Sequence, residues 1–199
     1  EISACLVGSE MCIRDRMAES GGAELVFQLD PPSIARLQRN PKVQVLMGPV
    51  PRVLVLAANA GSGATAPVEV RQALSLAINR EGITAAVLRA PGTGATQMFA
   101  ASVPAWHDAS LPPLKYDPQA ARELLKAQGW TPGADGILEK DGQRLQLKLL
   151  TYSDRPELPL IATALQAQLR EVGVNVEVAV TNASACLLYT SDAADDSLR

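Results

Sequence analysis

Between Val68 and Ile78 the apolar positions Val70, Ala73, Leu74, Ala77 and Ile78 recur at helical spacing. One face of an α-helix collects them, so the pattern predicts an amphipathic helix packed on a core. Arg80-Glu81-Gly82 interrupts the run, and Ile83 to Leu88 predicts a second, short helix. Asp117-Pro118 predicts a helix start: an aspartate can accept from the orphan N–H groups of the first turn, and proline suits the first helical position. Ala121, Leu124 and Leu125 form the apolar face of that helix, and Gly129 ends it. A further helix runs from about Glu157 to Val172, with Ile161, Leu165, Leu169 and Val172 on one side and Gly173 as its stop.

Elsewhere the period is two. Val174, Val176, Val178 and Val180 alternate strictly and predict a strand. Ile137 to Lys140, then Asp141-Gly142, then Leu145, Leu147 and Leu149 predict a hairpin with a tight turn. Strand, helix and strand over Leu145 to Val180 make a βαβ unit, for which a right-handed crossover is expected. Leu25, Phe27 and Leu29 predict a short strand after Gly21-Gly22, and Pro31-Pro32-Ser33 opens a brief helix through Arg39. Val43 to Met47 and Val53 to Ala58 predict two more strands, separated by Pro49 and Pro51. The small residues Gly61 to Pro67 suggest a flexible crossing between lobes. Ala90 to Leu114 reads as a long loop, a length that in compact domains usually serves function or wraps a neighbour.

Of the 199 residues 47% are hydrophobic and 20% charged, a globular composition, and the formal net charge is -3. Nucleic-acid binding needs a basic surface to displace phosphate counterions, so it is not expected. No apolar run approaches the roughly 20 residues that span a bilayer.

Both ends carry a separate signal. Met11-Cys12-Ile13-Arg14-Asp15-Arg16 can be encoded as ATG TGT ATA AGA GAC AGR, and Cys186-Leu187-Leu188-Tyr189-Thr190-Ser191 as TGT CTC TTA TAC ACA TCT. These strings are almost reverse complements and resemble a transposon mosaic end used in sequencing libraries. Residues 1–16 and 186–199 are therefore expected to be adapter-derived tails. The remainder, Met17 to Ala185, is formally neutral and free of cysteine, since Cys5, Cys12 and Cys186 all lie in the tails. A disulfide or metal reading of the cysteines goes with them.

The rule that ligands of open α/β sheets sit outside the carboxyl ends of strands selects the loop Thr151-Tyr152-Ser153-Asp154-Arg155-Pro156. It feeds a helix N-terminus, where amide groups and the helix dipole favour an anion, and Arg155 could clamp a carboxylate. Ser153, Asp154 and Arg155 are the candidate ligand-binding residues. Other motifs are weaker. Gly92-Thr93-Gly94-Ala95-Thr96 looks like a phosphate loop but lacks the Lys-Ser/Thr and the preceding strand. His107, the single histidine, has no partnered metal-ligand spacing. Trp106 and Trp130 can stack on a ligand or simply pack. Capping and solvation account for Asp117 and Glu123, and no nucleophile and base pair stands out, so no catalytic residue and no metal ligand is assigned.

Val70-Arg71-Gln72-Ala73-Leu74-Ser75-Leu76-Ala77-Ile78-Asn79-Arg80 follows a run ending in Asn59. With Tyr116-Asp117-Pro118, Ala120 to Leu125, Gly129-Trp130, and Leu160 to Val174, it resembles the peptide and nickel class of extracellular solute-binding proteins that serve ABC importers. The resemblance implies an α/β fold and part of a two-lobed clamshell of type II-like architecture. Residues 17–59 would finish one lobe, 60–66 would cross between lobes, and 67–185 would build much of the second. It also implies a monomer without cofactor or catalytic activity, periplasmic or extracellular and with or without a lipid anchor. Such a protein captures a peptide or a nickel chelate and hands it to a membrane permease. Ala95 to Pro104 looks closer to the nickel-binding branch. In dipeptide-binding relatives an arginine in the matching loop receives the peptide carboxylate, and Arg155-Pro156 fits that position; the nickel branch lacks a fixed arginine there. The alternatives are the lobe of an α/β enzyme with its catalytic residues elsewhere, and a ligand-sensing domain.

Overall fold

The computed structural model describes residues 10–27, 29, 31–48, 50–61 and 63–181. Among the described residues six α-helices and five strands follow in the order α1 (Glu10–Ser20), α2 (Pro31–Leu37), α3 (Val68–Leu76), α4 (Arg80–Ala86), α5 (Pro118–Ala127), β1 (Thr131–Pro132), β2 (Leu138–Lys140), β3 (Gln143–Arg144), β4 (Gln146–Tyr152), α6 (Glu157–Glu171) and β5 (Asn175–Thr181), with a single 3-10 turn at Gly63–Thr65 ahead of α3. The architecture is α/β.

Its centre is the β4-α6-β5 unit. β4 and β5 pair in parallel from Gln146↔Asn175 to Tyr152↔Thr181, so that Leu147 stands beside Val176 and Leu149 beside Val178. Their alternation turns these four side chains to one face, and α6 covers it with Ile161, Leu165, Leu169 and Val172. The strict valine alternation thus reports a half-buried strand, although Val180 at its end is exposed. Gln166 on α6 reaches the Val176 carbonyl at 2.6 Å, tying helix to strand.

A second layer comes from α3 and α5. Val70, Ala73, Leu74, Ala77 and Ile78 are all buried, as their spacing predicts, and meet Ala121 and Leu125 of α5 in one continuous core with β4, β5 and α6. Asp117 caps α5 through the Ala120 amide at 2.9 Å, and its own amide donates to the Leu76 carbonyl at 2.8 Å, which locks the start of α5 to the end of α3.

Three expectations need correction. The helix placed over Ile83 to Leu88 starts earlier, at Arg80, because Asn79 is an N-cap that accepts from Gly82 at 2.8 Å. The hairpin holds at its turn, where Asp141 (φ 52°) and Gly142 (φ 75°) give the left-handed pair of a type I′ loop. It does not continue through Leu149: β3 ends at Arg144, and after buried Leu145 the chain leaves the β1-β2-β3 sheet to pair with β5 as β4.

The third correction concerns Leu25 to Leu29, Val43 to Met47 and Val53 to Ala58. None of their described residues belongs to a strand, and Phe27 (70% exposed) and Leu46 (82% exposed) project outward. A strand exists through its hydrogen-bonded neighbour, and these runs have none among the described residues. Toward the N-terminus α1 crosses the junction placed after Arg16, and Glu19 pairs with Arg36 of α2 at 3.6 Å. The expected C-terminal tail, residues 186–199, lies outside the described residues, as do Cys5 and Cys186. No helix among the described residues is long and apolar enough to cross a membrane.

Candidate functional site

The carboxyl ends of β4 and β5 lie side by side at Tyr152 and Thr181. From there the chain turns through Ser153 and Asp154, bends at Arg155 and enters α6 at Glu157 behind Pro156. Ser153 and Asp154 are exposed, whereas Arg155 and Pro156 are half-buried. The Arg155 carbonyl accepts from Leu158 at 3.2 Å, which fixes the backbone of the turn. Its guanidinium makes no hydrogen bond or ion pair among the described residues. The three candidate residues are therefore neighbours on one turn at the strand ends, and the one cation in that turn has no partner among the described residues.

The helix end contributes less than its position suggests. Pro156 and Pro159 carry no N–H, the Leu158 amide is already used, and Glu157 places a carboxylate in the first turn. An anion here would be held mainly by the Arg155 fork rather than by the helix dipole.

Two of the clefts among the described residues open elsewhere. One of about 280 Å³ lies between α3 and α5, beside Leu114 and Lys115. The other, about 460 Å³, lies between Pro67, Trp130 and the β2-β3 hairpin. Neither is lined by residues 151–156.

The weaker motifs resolve into structural roles. The Gly92-Thr93-Gly94 loop does cradle an anion, but an internal one: Glu81 accepts from the Gly92 amide at 2.6 Å and the Gly94 amide at 3.3 Å. His107 Nδ1 sits 2.9 Å from the Phe99 carbonyl. Glu123 accepts from Gln119, and Trp130 is buried at the end of α5. No group of three His, Cys, Asp or Glu among the described residues could hold a metal ion.

Residues 97–110 of the long loop form a closed unit. Gln97 and Asp108 exchange hydrogen bonds (2.7 and 3.2 Å), and Phe99 meets Trp106 edge to face with ring centroids 4.9 Å apart. The Asp108 carboxylate accepts from the Ser110 hydroxyl (2.6 Å) and amide (2.9 Å), and these bonds, the hydroxyl first, hold its pKa below the ordinary 3.8. A depressed carboxyl stabilises the ordered loop above its unfolded value and loses that contribution as pH falls through the lower folded value. The loop should therefore stay ordered at neutral pH and loosen only below about pH 4. Emission from exposed Trp106 should change in that range, and Asp108→Asn should abolish the transition; an unchanged acid transition in the variant would disprove the assignment.

Sequence spacing pointed to the 151–156 loop but not to the contacts of Glu81, which join residues 11 and 13 positions apart. Asn79 ahead of Arg80-Glu81 was a readable cap signal.

Comparison with known proteins bears on all of this. The family model described as bacterial extracellular solute-binding proteins, family 5 middle, matches residues 11–197 and so reaches into both stretches that the codon reading assigns to tails. The chain is 32% identical over 158 residues to the nickel-binding periplasmic protein of Escherichia coli K12, covering 79% of this chain and 30% of that protein. It is 33% identical over 121 residues to the oligopeptide-binding protein AppA of Bacillus subtilis 168, covering 59% and 22%. Among solved structures, NikA from Brucella suis in complex with Fe(III)-EDTA superposes with a TM-score of 0.82 at 29% identity, covering 94% of this chain and 38% of that one. The chain thus spans well under half the length of these relatives.

Proposed function

The chain belongs to the bacterial extracellular solute-binding proteins of family 5, and on that premise we propose that the whole protein is the capture component of an ABC importer. It takes up a peptide or a nickel chelate outside the cytoplasmic membrane and delivers it to a permease. The family match over residues 11–197 carries this reading. The fold is part of the two-lobed periplasmic class, with 17–59 completing one lobe, 60–66 crossing, and 67–185 forming much of the other.

Such a protein works as a monomer and makes or breaks no covalent bond. Its lobes close because the ligand makes contacts in the closed state that the open state lacks. Arg155, with Ser153 and Asp154 beside it, is the ligand-facing group of the second lobe. Peptides and polycarboxylate chelates share the carboxylate, and a guanidinium can receive it in two parallel hydrogen bonds.

The test is titration of the full-length protein with a pool of short peptides and, separately, with nickel(II) plus L-histidine, followed by calorimetry. Binding of either supports the reading, and binding of neither would sink it. Arg155→Ala should weaken the bound carboxylate ligand roughly ten- to hundredfold, the size of one lost charge-assisted hydrogen bond. Arg155→Lys should retain part of the affinity. Unchanged affinity in Arg155→Ala would remove this loop from the binding site.

A further inference from the structure

The β1-β2-β3 sheet carries two Asp-Gly pairs, Asp135-Gly136 in the turn before β2 and Asp141-Gly142 in the turn after it. Such a pair is a weak point of the backbone, because glycine has no side chain to shield its nitrogen from the neighbouring carboxyl group. The glycine nitrogen bonds to aspartate Cγ, the amide hydrogen and the carboxyl hydroxyl leave as water, and a succinimide closes. Water then adds to a ring carbonyl. Addition at the main-chain carbonyl reopens the ring as isoaspartate, with the backbone rerouted through Cγ and one methylene longer. One water leaves and one returns, so no other reactant is needed.

The attack requires a free glycine amide and a neutral, mobile carboxyl group. Around Asp135 the fold engages both. The Gly136 amide donates to the Gly133 carbonyl at 3.1 Å. Asp135 Oδ1 accepts from the Ile137 amide at 3.2 Å, and Oδ2 accepts from the Arg144 guanidinium across the sheet. Those bonds, the Ile137 amide first and Arg144 next, hold the carboxyl below its ordinary pKa of 3.8, so less of it is neutral in weakly acidic solution. At Asp141 the ladder pairs Lys140 with Gln143, and a two-residue loop keeps the amides of both its central residues out of that ladder. None of the three bonds around Asp135 has a counterpart there among the described residues.

The two sites also differ in what isomerisation would disturb. Two residues after Gly136 the Leu138 amide donates to the Gly173 carbonyl at 2.8 Å, just past the end of α6, and Ile137 and Leu138 are buried. An extra methylene ahead of that contact would move Leu138 off α6, whereas at Asp141 it would lengthen only the hairpin tip.

We propose that Asp135-Gly136 is a latent site of backbone isomerisation, that Arg144 guards it, and that Asp141-Gly142 isomerises first. The inference is independent of what the protein binds.

The experiment ages the full-length protein in warm, weakly acidic buffer made with heavy-oxygen water, which labels each reopened ring. Fragmentation mass spectrometry that separates isoaspartate from aspartate then reads both sites in one sample. The unmutated protein should carry on the order of tenfold more isoaspartate at Asp141 than at Asp135, the scale of one charge-assisted hydrogen bond. Arg144→Gln should raise the yield at Asp135 toward that at Asp141 and leave Asp141 unchanged, with Arg144→Lys in between. Equal yields in the unmutated protein, or no rise at Asp135 in Arg144→Gln, overturns the guard. Should Arg144→Gln lose its fold, both sites speed up together, and the unmutated protein decides. Molar salt screens an exposed ion pair and should raise the yield at Asp135 about twofold without moving Asp141; no rise overturns the proposal.

Discussion

Gly173→Ala should destabilise the fold by roughly 2–5 kcal/mol, from two sources that add. Gly173 ends α6 at φ +85°, donating to the Arg170 carbonyl at 3.0 Å while its own carbonyl accepts from Leu138 at 2.8 Å. A side chain in that left-handed conformation costs about 1–2 kcal/mol. The added Cβ would also stand 2.7 Å from Leu138 Cγ and 3.1 Å from the Gly136 carbonyl oxygen. Relieving such overpacking typically costs about 1–3 kcal/mol. Gly136→Ala is the control, because it shares a positive φ (80°) and meets nothing within 4 Å. Urea unfolding followed by the emission of buried Trp130, in a Trp106→Phe background, separates the two. Equal midpoints for both variants would mean that α6 does not end against the hairpin.

Leu125→Ala should cost about 3–5 kcal/mol, a large share of the roughly 5–15 kcal/mol that holds a typical domain together. Leu125 is fully buried, on the face of α5 that meets α3, and the Trp130 amide donates to its carbonyl at 3.1 Å. Removing its side chain leaves a cavity in the seam between the helical layer and the sheet. Its neighbour Leu124 is half-buried, so Leu124→Ala should cost on the order of 1 kcal/mol. The same unfolding assay ranks them. If Leu124→Ala proved the worse variant, α5 would be rotated from the orientation described.

These effects fall where the sequence was most readable. The faces of α3, α5 and α6 and the buried side of β5 are set by local periodicity, which depends on a single element and the side it turns inward. Turn chemistry was equally legible at Asp141-Gly142 and at Asp117-Pro118. What periodicity does not contain is pairing. Leu145, Leu147 and Leu149 announce one alternating strand, but whether it continues a hairpin or joins β5 is decided by distant residues, and β5 prevails because its valines offer a matching apolar face. For the same reason the runs at 25–29, 43–47 and 53–58 look like strands in sequence, yet they have no strand partner among the described residues. The candidate site shows a similar division. A topological rule found the turn at 153–155, whereas the loss of helix N–H donors follows from two prolines whose effect appears only once α6 is positioned. The grip of Glu81 on Gly92 and Gly94 joins a side chain to backbone, and such bonds leave no spacing signature.

The apolar runs before α3 also bear on how this polypeptide survives its own synthesis. Stretches such as Val43 to Met47 and Val53 to Ala58, rich in β-branched and large apolar residues, are the kind that nucleate cross-β aggregates when they meet copies of themselves. Here Val43 to Met47 lies between Pro41-Lys42 and Pro49, and Val53 to Ala58 follows Pro51-Arg52. Proline removes a donor and charge resists stacking, so these positions act as gatekeepers that interrupt a growing fibril while leaving each run free to pair with its proper neighbour. A polypeptide that has not finished folding spends its most exposed interval with these runs open, and the prolines guard it during that interval.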